Sequence, residues 1–423
     1  MDFGGRTIYV GGWWDNALVS SAMGMDDPDP AVTQNYFLDR MIYDNAQRVR
    51  QEFNVNFGNM TLYFGDMLPT LTSSVMAGDA FADVVMVAGD MVLSALMGDL
   101  IVPLGDINLP NSDLLGPQLY STRLHNFRGD YWSFTCTRPY LHAMTMAFNM
   151  DIINAIGAPN PQDLYTQGRW TWDEALNIMR MATRDTTGDG VIDQWGIAGQ
   201  PGDLMAIFVG ANDGPLVTDD LQFALDHPNT IEALELWEVI LQEGLWQYDP
   251  VMGMDVGDWN RNFWAFQEGR AAFFPGTTWL MDAADLQFEF LAVPFPLGPS
   301  NTSGNSSVSG WRQSLVFPHS TSWNVEDTLM VIEELWSWPG DEPNLKPDSE
   351  ATWPRAHWLT ETCVQHQFTA GQRRNMDIGM VIPQYNWIFG TFASNFANNE
   401  ATPMQAVEAV RGPQQELIDN FFR

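Results

Sequence analysis

The chain has 423 residues, 45% of them hydrophobic and 17% charged, so it is long enough for two domains and too apolar to be disordered. It carries 53 acidic against 19 basic residues, a formal net charge of -34. This charge excludes nucleic acids and anionic membrane surfaces as partners, because both require clustered Lys and Arg. The single lysine, Lys346, precedes Pro347, which excludes a phosphate-binding GK[ST] loop.

Membrane and cysteine signals are weak in this sequence. No run approaches the 18 consecutive apolar residues that a membrane-spanning helix needs. Met1 is followed by DFGG rather than by the basic and apolar regions of a leader peptide, so we expect a chain that begins as a mature or recombinant protein does. Cys136 and Cys363 lie far apart, which excludes a disulfide scaffold and a zinc cluster. They either pair or stay buried, and we expect two free, buried thiols.

The chain begins with alternating strand and helix patterns. A β-prone run, Thr7 to Val10, ends at two glycines and is followed by Trp13, Trp14 and Asp15. Apolar residues then recur at steps of three and four from Leu38 to Phe53, which predicts a long helix, with a strand at 55–57 or 61–64 after it.

The next elements continue the alternation. A helix is predicted to end at Gly78, and the apolar run Val84 to Val87 predicts a central parallel strand with Gly89 and Asp90 at its exit. Strand, helix, strand, helix in this order indicates a doubly wound α/β lobe.

A second rhythm starts near residue 131. HAMTMAFNMD is strand-like, and in WTWDEAL the pair Thr171 and Glu174 forms a capping box that predicts a helix start. A further amphipathic helix covers 231–245. FLAVPFPLGP at 290–299 predicts a strand broken by prolines that crosses between lobes, and NTSGNSSVS at 301–309 predicts an exposed loop.

The segment FQEGRAAFFPGTTWLMD at 266–282 is the most informative in the chain. Gly269 is predicted to end a helix, and Arg270 to Phe274 form a strand that Pro275 and Gly276 break. Trp279 follows on the loop. Because ligands bind beyond the carboxyl ends of strands in open α/β sheets, Trp279 is a candidate ligand platform, with a core tryptophan as the alternative.

DTTGDGVID at 185–193 resembles a calcium loop. Asp185, Thr187 and Asp189 are spaced by two, Gly190 suits the sharp turn, and Asp193 adds a further oxygen, so Ca2+ is a candidate cofactor. The loop has Gly196 where an EF-hand has its bidentate glutamate. The alternative is an Asx-type turn held by side-chain hydrogen bonds.

Several segments, in order, resemble the extracellular solute-binding proteins of carbohydrate ABC importers, the group that includes maltose-binding protein. They are MAGDAFADVVMVAGD, HAMTMAFNMD, WTWDEAL, AFQEGRAAFFPGTTWL, VPFPLGP and IPQYNW. The chain departs from the family pattern at Phe81, Ala82, Phe148 and Met150, which touch scaffold positions and leave the substrate undefined.

The resemblance implies a type II periplasmic-binding-protein-like α/β fold, with two doubly wound lobes joined by a multi-strand hinge. It places lobe one at 1–143 and 297–340, and lobe two at 144–296 and 341–423. It implies that a carbohydrate, expected to be an oligosaccharide, is held in an inter-lobe cleft and passed to the membrane permease of an ABC importer. It also implies a non-catalytic monomer in the periplasm or on the cell surface as a lipoprotein, with no cofactor required.

The same resemblance selects the ligand-binding candidates. Sugars present apolar C–H faces and a rim of hydroxyls, so aromatic planes and carboxylates or amides are the groups that bind them. The candidates are Trp13, Trp14, Asp15, Gly89, Asp90, His142, Trp279, Trp311, Arg312 and Trp387.

Some candidates have plainer explanations. Asp90 is equally a helix N-cap, and His142 is a core histidine in most settings. Arg312 binds an acidic sugar or pairs with one of the 53 acids, while Trp311 and Trp387 also suit core packing.

Two other classes of function compete with sugar capture. A secreted glycoside hydrolase needs two carboxylates at a defined separation, a signal that so many acids make uninformative. An aromatic-rich adhesion protein would present its tryptophans in one exposed patch. No HExxH or GxSxG motif occurs, and the six histidines lack metal-ligand spacing.

Overall fold

The computed structural model describes residues 2–13, 36–104, 126–127, 130–134, 144–218, 220–247, 264–276, 286–308, 313–335, 360–372, 374–375 and 401–422. The chain divides into two compact units. The first comprises Met1–Arg138 and Trp311–Ala356, and the second comprises Pro139–Gly310 and His357–Arg423.

Strands and helices alternate along most of the described chain. The strands are β1 (Arg6–Gly12), β2 (Val55–Thr61), β3 (Val84–Ala88), β4 (Asn126–Phe127), β5 (Asp130–Tyr131), β6 (Thr145–Asn149), β7 (Trp195–Ala198), β8 (Trp246–Gln247), β9 (Ala271–Gly276), β10 (Phe290–Val293), β11 (Ser307–Val308), β12 (Gln313–Val316) and β13 (Arg374–Asn375). The helices are α1 (Tyr36–Phe53), α2 (Met67–Ala77), α3 (Gly89–Met97), α4 (Met150–Ala155), α5 (Pro161–Thr166), α6 (Trp172–Ala182), α7 (Pro201–Gly210), α8 (Pro228–Gln242), α9 (Trp264–Gln267), α10 (Val325–Leu335), α11 (Glu361–Gln372) and α12 (Pro403–Phe422).

The first unit is built on a sheet of order β12-β3-β1-β2. β1 runs parallel to both β2 and β3, and β12 runs antiparallel to β3. Every residue of β3 is buried, which confirms the central strand predicted from the run Val84 to Val87. The carboxyl ends of β1, β2 and β3 therefore share one edge.

Helices pack on this sheet as the apolar periodicity predicts. α1 buries Ala46 and Val49 in the core of the unit, and the Asn45 side chain donates a hydrogen bond of 3.0 Å to the Leu335 carbonyl at the end of α10. α2 ends at Gly78, whose φ of 71° is the left-handed conformation that favours glycine, as predicted.

The second unit is built on a sheet of order β10-β6-β9-β7-β8. β7 runs parallel to β8 and β9, while β6 runs antiparallel to both β9 and β10. The carboxyl ends of β7, β8, β9 and β10 thus lie at one edge. Large aromatic side chains fill the interior, including Phe208 and Trp237, whose ring centroids are 6.4 Å apart.

Capping side chains begin several helices of the second unit. The Thr171 hydroxyl accepts a hydrogen bond of 3.4 Å from the Glu174 amide, which confirms the predicted start of α6. Asn149 and Asn160 cap α4 and α5 in the same way. Gly269, with a φ of 72°, ends α9 as predicted.

Two small pairings lie outside the main sheets. β4 and β5 form an antiparallel pair, and β11 and β13 form a parallel pair. Within the described residues, no helix has the length and apolar character needed to cross a membrane.

The strand β9 is longer than its sequence predicts. Pro275 and Gly276 were expected to break it after Phe274, yet both belong to the strand, and Pro275 pairs with Met146 of β6. Pairing with β7 on the other side extends only to Phe273. Beyond Phe273, the side of β9 that faces β7 makes no ladder hydrogen bonds. Proline is tolerated there because no partner on that side requires its missing N–H group.

The chain passes between the units at positions other than the predicted ones. The division lies at 138, 310 and 356, whereas the sequence placed it at 143, 296 and 340. Residues 297–310 belong to the second unit because the Gly298 and Ser300 amides donate hydrogen bonds to the Ala211 carbonyl and the Asn212 side chain, 2.9 Å each.

The described part of the polar loop, residues 301–308, is anchored rather than fully exposed. The Asp213 carboxylate accepts hydrogen bonds from the amides of Thr302, at 2.7 Å, and Ser303, at 2.8 Å, and from both of their hydroxyls. Ser306 is buried, and β11 follows it. A polar composition here therefore serves hydrogen bonding within the unit.

Cys363 is a free, buried thiol of α11, as expected for that residue. Its sulfur accepts hydrogen bonds from the Ala292 amide at 3.2 Å and the Thr360 hydroxyl at 3.1 Å. Cys136 lies outside the described residues.

Candidate functional site

The carboxyl edges of the two sheets are the places where an open α/β fold binds ligands. Among the ten predicted ligand residues, Trp13 and Gly89 fall in the described part of the chain, and Asp90 does so by its backbone only. The others lie outside the described residues and stay predictions: Trp14, Asp15, His142, Trp279, Trp311, Arg312 and Trp387.

In the first unit, the structure brings Trp13 and Gly89 to one edge. Trp13 follows β1 and Gly89 follows β3, and these two strands are parallel neighbours in the sheet. The Leu62 amide donates a hydrogen bond of 2.8 Å to the Gly12 carbonyl, which ties the end of β1 to the chain leaving β2.

Trp13 is held in place by an aromatic neighbour. Its ring meets that of Phe64 edge to face, with centroids 5.3 Å apart, and one part of it packs on the apolar core of the unit. The side chain is half-buried. A fixed, partly exposed indole at a strand exit is suited to stacking on an apolar face of a ligand.

Gly89 is the first residue of α3, and Ala88 is its N-cap. The Ala88 side chain has no hydrogen-bond acceptor, so it does not cap the first-turn amides of α3, which lie at this edge. Asp90 lies inside the first turn, and the alternative that it forms the N-cap is therefore wrong.

In the second unit, close backbone contacts shape the corresponding edge. Gly199 follows β7 with a φ of 138°, and a Cβ atom there would lie 3.0 Å from the Pro275 ring of β9. The Trp246 indole donates a hydrogen bond of 3.0 Å to the Gly199 carbonyl, and the Thr145 hydroxyl donates one of 3.2 Å to the Gly276 carbonyl. Only glycine fits at position 199 without strain.

Asp203 is a residue of this edge that the sequence prediction did not include. It lies in the first turn of α7, which begins three residues after β7 ends. Its side chain is half-buried, and desolvation raises the pKa of its carboxyl to about 6. Among the described residues, Asp203 has no ion-pair partner. A carboxyl with a raised pKa accepts hydrogen bonds when it is ionised and donates one when it is protonated, and both forms are accessible near neutral pH.

The local sequence contains a pattern that could have identified Asp203 as a candidate site residue. The apolar strand β7 is followed by GQPGD, in which Pro201 begins a helix and the acid falls in its first turn at a strand exit. The pKa shift of the carboxyl comes from desolvation, which a local sequence pattern does not report.

The loop at 185–193 is closed by its own hydrogen bonds. The Asp185 carboxylate accepts from the amides of Gly188 and Gly190, 2.6 Å each, and of Thr187 at 3.0 Å. These bonds, from Gly190 and Gly188 first, lower the pKa of Asp185. The geometry is that of an Asx-type turn.

The other candidate calcium ligands are engaged in the same way. Asp189 accepts from the Val191 amide at 2.9 Å, and Asp193 accepts from the Thr186 amide at 2.8 Å. Within the described part of the chain, no three His, Cys, Asp or Glu side chains are grouped so as to hold a metal ion. Calcium at Asp185, Thr187, Asp189 and Asp193 stays a prediction.

Comparison with known proteins gives a match to a family model and matches to solved structures. A family model described as bacterial extracellular solute-binding protein matches residues 52–322, which is more than half of the chain. No curated protein matches the chain by sequence.

Solved structures share the fold over nearly the whole length. The cyclic α-maltosyl-1,6-maltose binding protein of Arthrobacter globiformis has a TM-score of 0.66 and 16% identity, covering 98% of this chain and 99% of its own. The GacH receptor of Streptomyces glaucescens, solved unliganded and with acarbose, has a TM-score of 0.65 and 13% identity, covering 98% and 99%. An ABC transporter solute-binding protein of Thermotoga lettingae, bound with α-D-tagatose, has a TM-score of 0.61 and 17% identity, covering 97% and 99%. The predicted fold class is confirmed by this likeness.

Proposed function

The chain belongs to the bacterial extracellular solute-binding proteins, and on that basis we propose that it binds a carbohydrate and delivers it to an ABC importer. The family match over residues 52–322 carries the proposal. The structures that share its fold include proteins solved with a monosaccharide and with acarbose, which supports a carbohydrate as the solute.

The chemistry of the two edges supports the same solute class. A half-buried indole at Trp13 suits the apolar C–H face of a sugar ring. A desolvated carboxyl at Asp203 suits the hydroxyl rim, because an isolated acid in a partly closed environment gains most from a hydrogen-bond partner. Both groups lie at strand exits, where this fold class places ligands.

We assign sugar-contacting roles to residues at the carboxyl edge of each unit. To the first unit's edge belong Trp13 and Gly89, with Trp14, Asp15 and Asp90 as further candidates from the sequence. Trp279 is assigned to the exit of β9, the strand whose last residue is Gly276. His142, Trp311, Arg312 and Trp387 complete the proposed set.

The proposal includes a partner and a location. The partner is the membrane permease of an ABC importer, and the location is outside the cytoplasm, in the periplasm or at the cell surface. The protein acts as a monomer and returns its sugar chemically unchanged.

A thermal-shift screen of the purified chain tests the proposal. Neutral oligosaccharides such as maltotriose are compared with amino sugars and uronates, and we expect at least one neutral oligosaccharide to raise the melting temperature in a saturable way. Trp13→Ala is expected to weaken binding of that sugar about fivefold or more, since stacking on an aromatic ring contributes about 1 kcal/mol or more.

Met76→Ala is the matched control for this screen. Met76 is 82% exposed and lies near the end of α2, which leads into the amino end of β3 in the same unit, so its loss should leave the sugar-dependent shift unchanged. Failure of every carbohydrate class to shift the melting temperature would contradict the proposal, as would an equal loss in both variants.

A further inference from the structure

The second unit contains a cavity that is lined by none of the described residues Trp13, Gly89, Gly199 and Asp203. Its volume is about 500 Å³, and it lies beside the segment that follows β10, the end of α5 and the middle of α11. Its lining includes Tyr165, Trp170, Phe295, Leu297, Ser306 and His366. Pockets that bind small molecules commonly have volumes of roughly 300 to 1,000 Å³, so this one is large enough for a single sugar-sized ring.

The Ser306 hydroxyl is the first sign that the cavity is built to bind something. Ser306 is only 3% exposed, and among the described residues its Oγ atom has no hydrogen-bond partner. An unpartnered buried hydroxyl is costly and is rare in folded proteins. Ser306 lines the cavity, so a side-chain rotation that uncovers this hydroxyl would allow a ligand hydroxyl to supply the missing partner.

His366 provides a second polar atom with a defined role. Its Nδ1 atom lies 2.8 Å from the Ala292 carbonyl, and because a carbonyl only accepts, Nδ1 carries the proton. Burial lowers the pKa of His366, so the imidazole is neutral at pH 7. Its Nε2 atom is then an acceptor on a ring that lines the cavity.

Aromatic contacts hold the walls in place. The Tyr165 and His366 rings meet edge to face with centroids 5.0 Å apart, and the Trp170 indole donates a hydrogen bond of 2.8 Å to the Pro294 carbonyl. Both groups are therefore positioned before any ligand arrives, which reduces the ordering cost of binding.

Charge selects the class of ligand. Among the described residues, the lining includes no Lys, Arg, Asp or Glu, so neither an anion nor a cation gains an ion-pair partner there. The net charge of -34 of the whole chain further disfavours an anion. An entirely apolar molecule would leave the Ser306 hydroxyl and the His366 Nε2 atom unsatisfied.

We propose that this cavity is a second ligand site, with a lining that includes none of the described residues assigned to sugar binding, and that it binds a neutral polyhydroxylated ring of monosaccharide or cyclitol size. A ligand hydroxyl donates a hydrogen bond to the Nε2 atom of His366, and another exchanges one with the hydroxyl of Ser306. Tyr165 lies against the ring of the ligand.

The test follows the His366 Nε2 resonance in the full chain labelled with ¹⁵N-histidine at pH 7.5. Methyl α-D-glucopyranoside and myo-inositol are the neutral probes, and D-glucuronate is the anionic one. We expect a saturable shift of the Nε2 signal with at least one neutral probe and none with glucuronate.

Two variants assign the binding to the cavity, with NMR of the probe as the readout that all variants share. Ser306→Ala is expected to weaken binding at least tenfold while leaving the melting temperature unchanged or higher, because it removes an unpartnered buried hydroxyl. His366→Asn retains a donor near the Ala292 carbonyl but lacks the Nε2 acceptor, and it is expected to weaken binding to a similar degree.

Gln365→Ala is the control on the same helix. Its side chain is exposed and bonds to Glu361, so probe binding should be retained. The proposal is overturned if neither neutral probe binds at its solubility limit, if glucuronate binds more tightly, or if Ser306→Ala lowers the melting temperature and leaves binding intact.

Discussion

Two opposing effects act on the pKa of the Asp203 carboxyl. A position in the first turn of a helix stabilises a carboxylate by about 0.3 to 1 kcal/mol and so lowers its pKa. Burial acts the other way and shifts pKa values by up to several units. The pKa of about 6 means that burial is the larger effect at this residue. A desolvated acid at a strand exit is the kind of group that a ligand stabilises.

Replacement of the Asp203 carboxyl by an amide should stabilise the protein at high pH. Above pH 6 the carboxyl is ionised in both states and the folded state bears the cost of burial, whereas below 3.8 it is protonated in both. The neutral side chain of Asp203→Asn would avoid that cost, so we expect the variant to be more stable by up to about 3 kcal/mol at pH 8, since one pKa unit corresponds to about 1.4 kcal/mol.

Urea denaturation at several pH values measures this effect. The advantage of Asp203→Asn should shrink as the pH falls through 6 and nearly vanish at pH 4. An advantage that is independent of pH, or that grows in acid, would show that burial of the charge is not its cause.

At the scale of elements, side-chain hydrogen bonds determine where helices begin and how loops are anchored. The cap at Thr171 was predicted from the local sequence, and Asn149 and Asn160 satisfy first-turn amides in the same way. The contacts of Asp213 with residues 301–303 join segments nearly 90 residues apart, and local sequence does not predict them. Short-range caps were therefore predictable, while the anchoring of the polar loop was not.

Loss of the α6 cap is expected to be modest. Thr171→Ala removes the acceptor for the Glu174 amide, and such substitutions cost about 1 kcal/mol of unfolding free energy, with the 3.4 Å distance favouring a smaller value. This loss of unfolding free energy is measured as a lower urea midpoint of unfolding, with an unchanged dependence of the free energy on urea concentration. Glu235→Gln, at an exposed position within α8, is the control and should leave the midpoint in place; no difference between the two variants would contradict the assigned cap.

Removal of the Asp213 carboxylate should release the polar loop. Asp213→Ala deletes the acceptor for the Thr302 and Ser303 amides, and its φ of 53° adds strain for alanine. Hydrogen exchange by mass spectrometry should show faster exchange at 301–305. Asp213→Asn retains an acceptor oxygen and tolerates the left-handed backbone, so it should exchange at an intermediate rate. Unchanged exchange in Asp213→Ala would exclude the anchoring role.

At the scale of the whole molecule, the sequence predicted two α/β units, the strand exits that carry Trp13 and Gly89, and the family. The chain passes between the units at positions other than the predicted ones. The reason is that residues 297–310 are held in the second unit by backbone and Asn212 contacts, which no local pattern reveals. The raised pKa of Asp203 was missed because burial of a side chain cannot be read from a local pattern. The cavity at Ser306 and His366 was missed because its lining joins residues from Tyr165 to His366.

Isothermal titration calorimetry tests most directly whether the protein captures a carbohydrate without altering it. The neutral oligosaccharide that gives the largest thermal shift is titrated into the full chain. We predict a saturable binding isotherm whose heat returns to baseline after each injection. An absence of binding heat for every oligosaccharide, or a continuing heat that reports hydrolysis, would contradict the account.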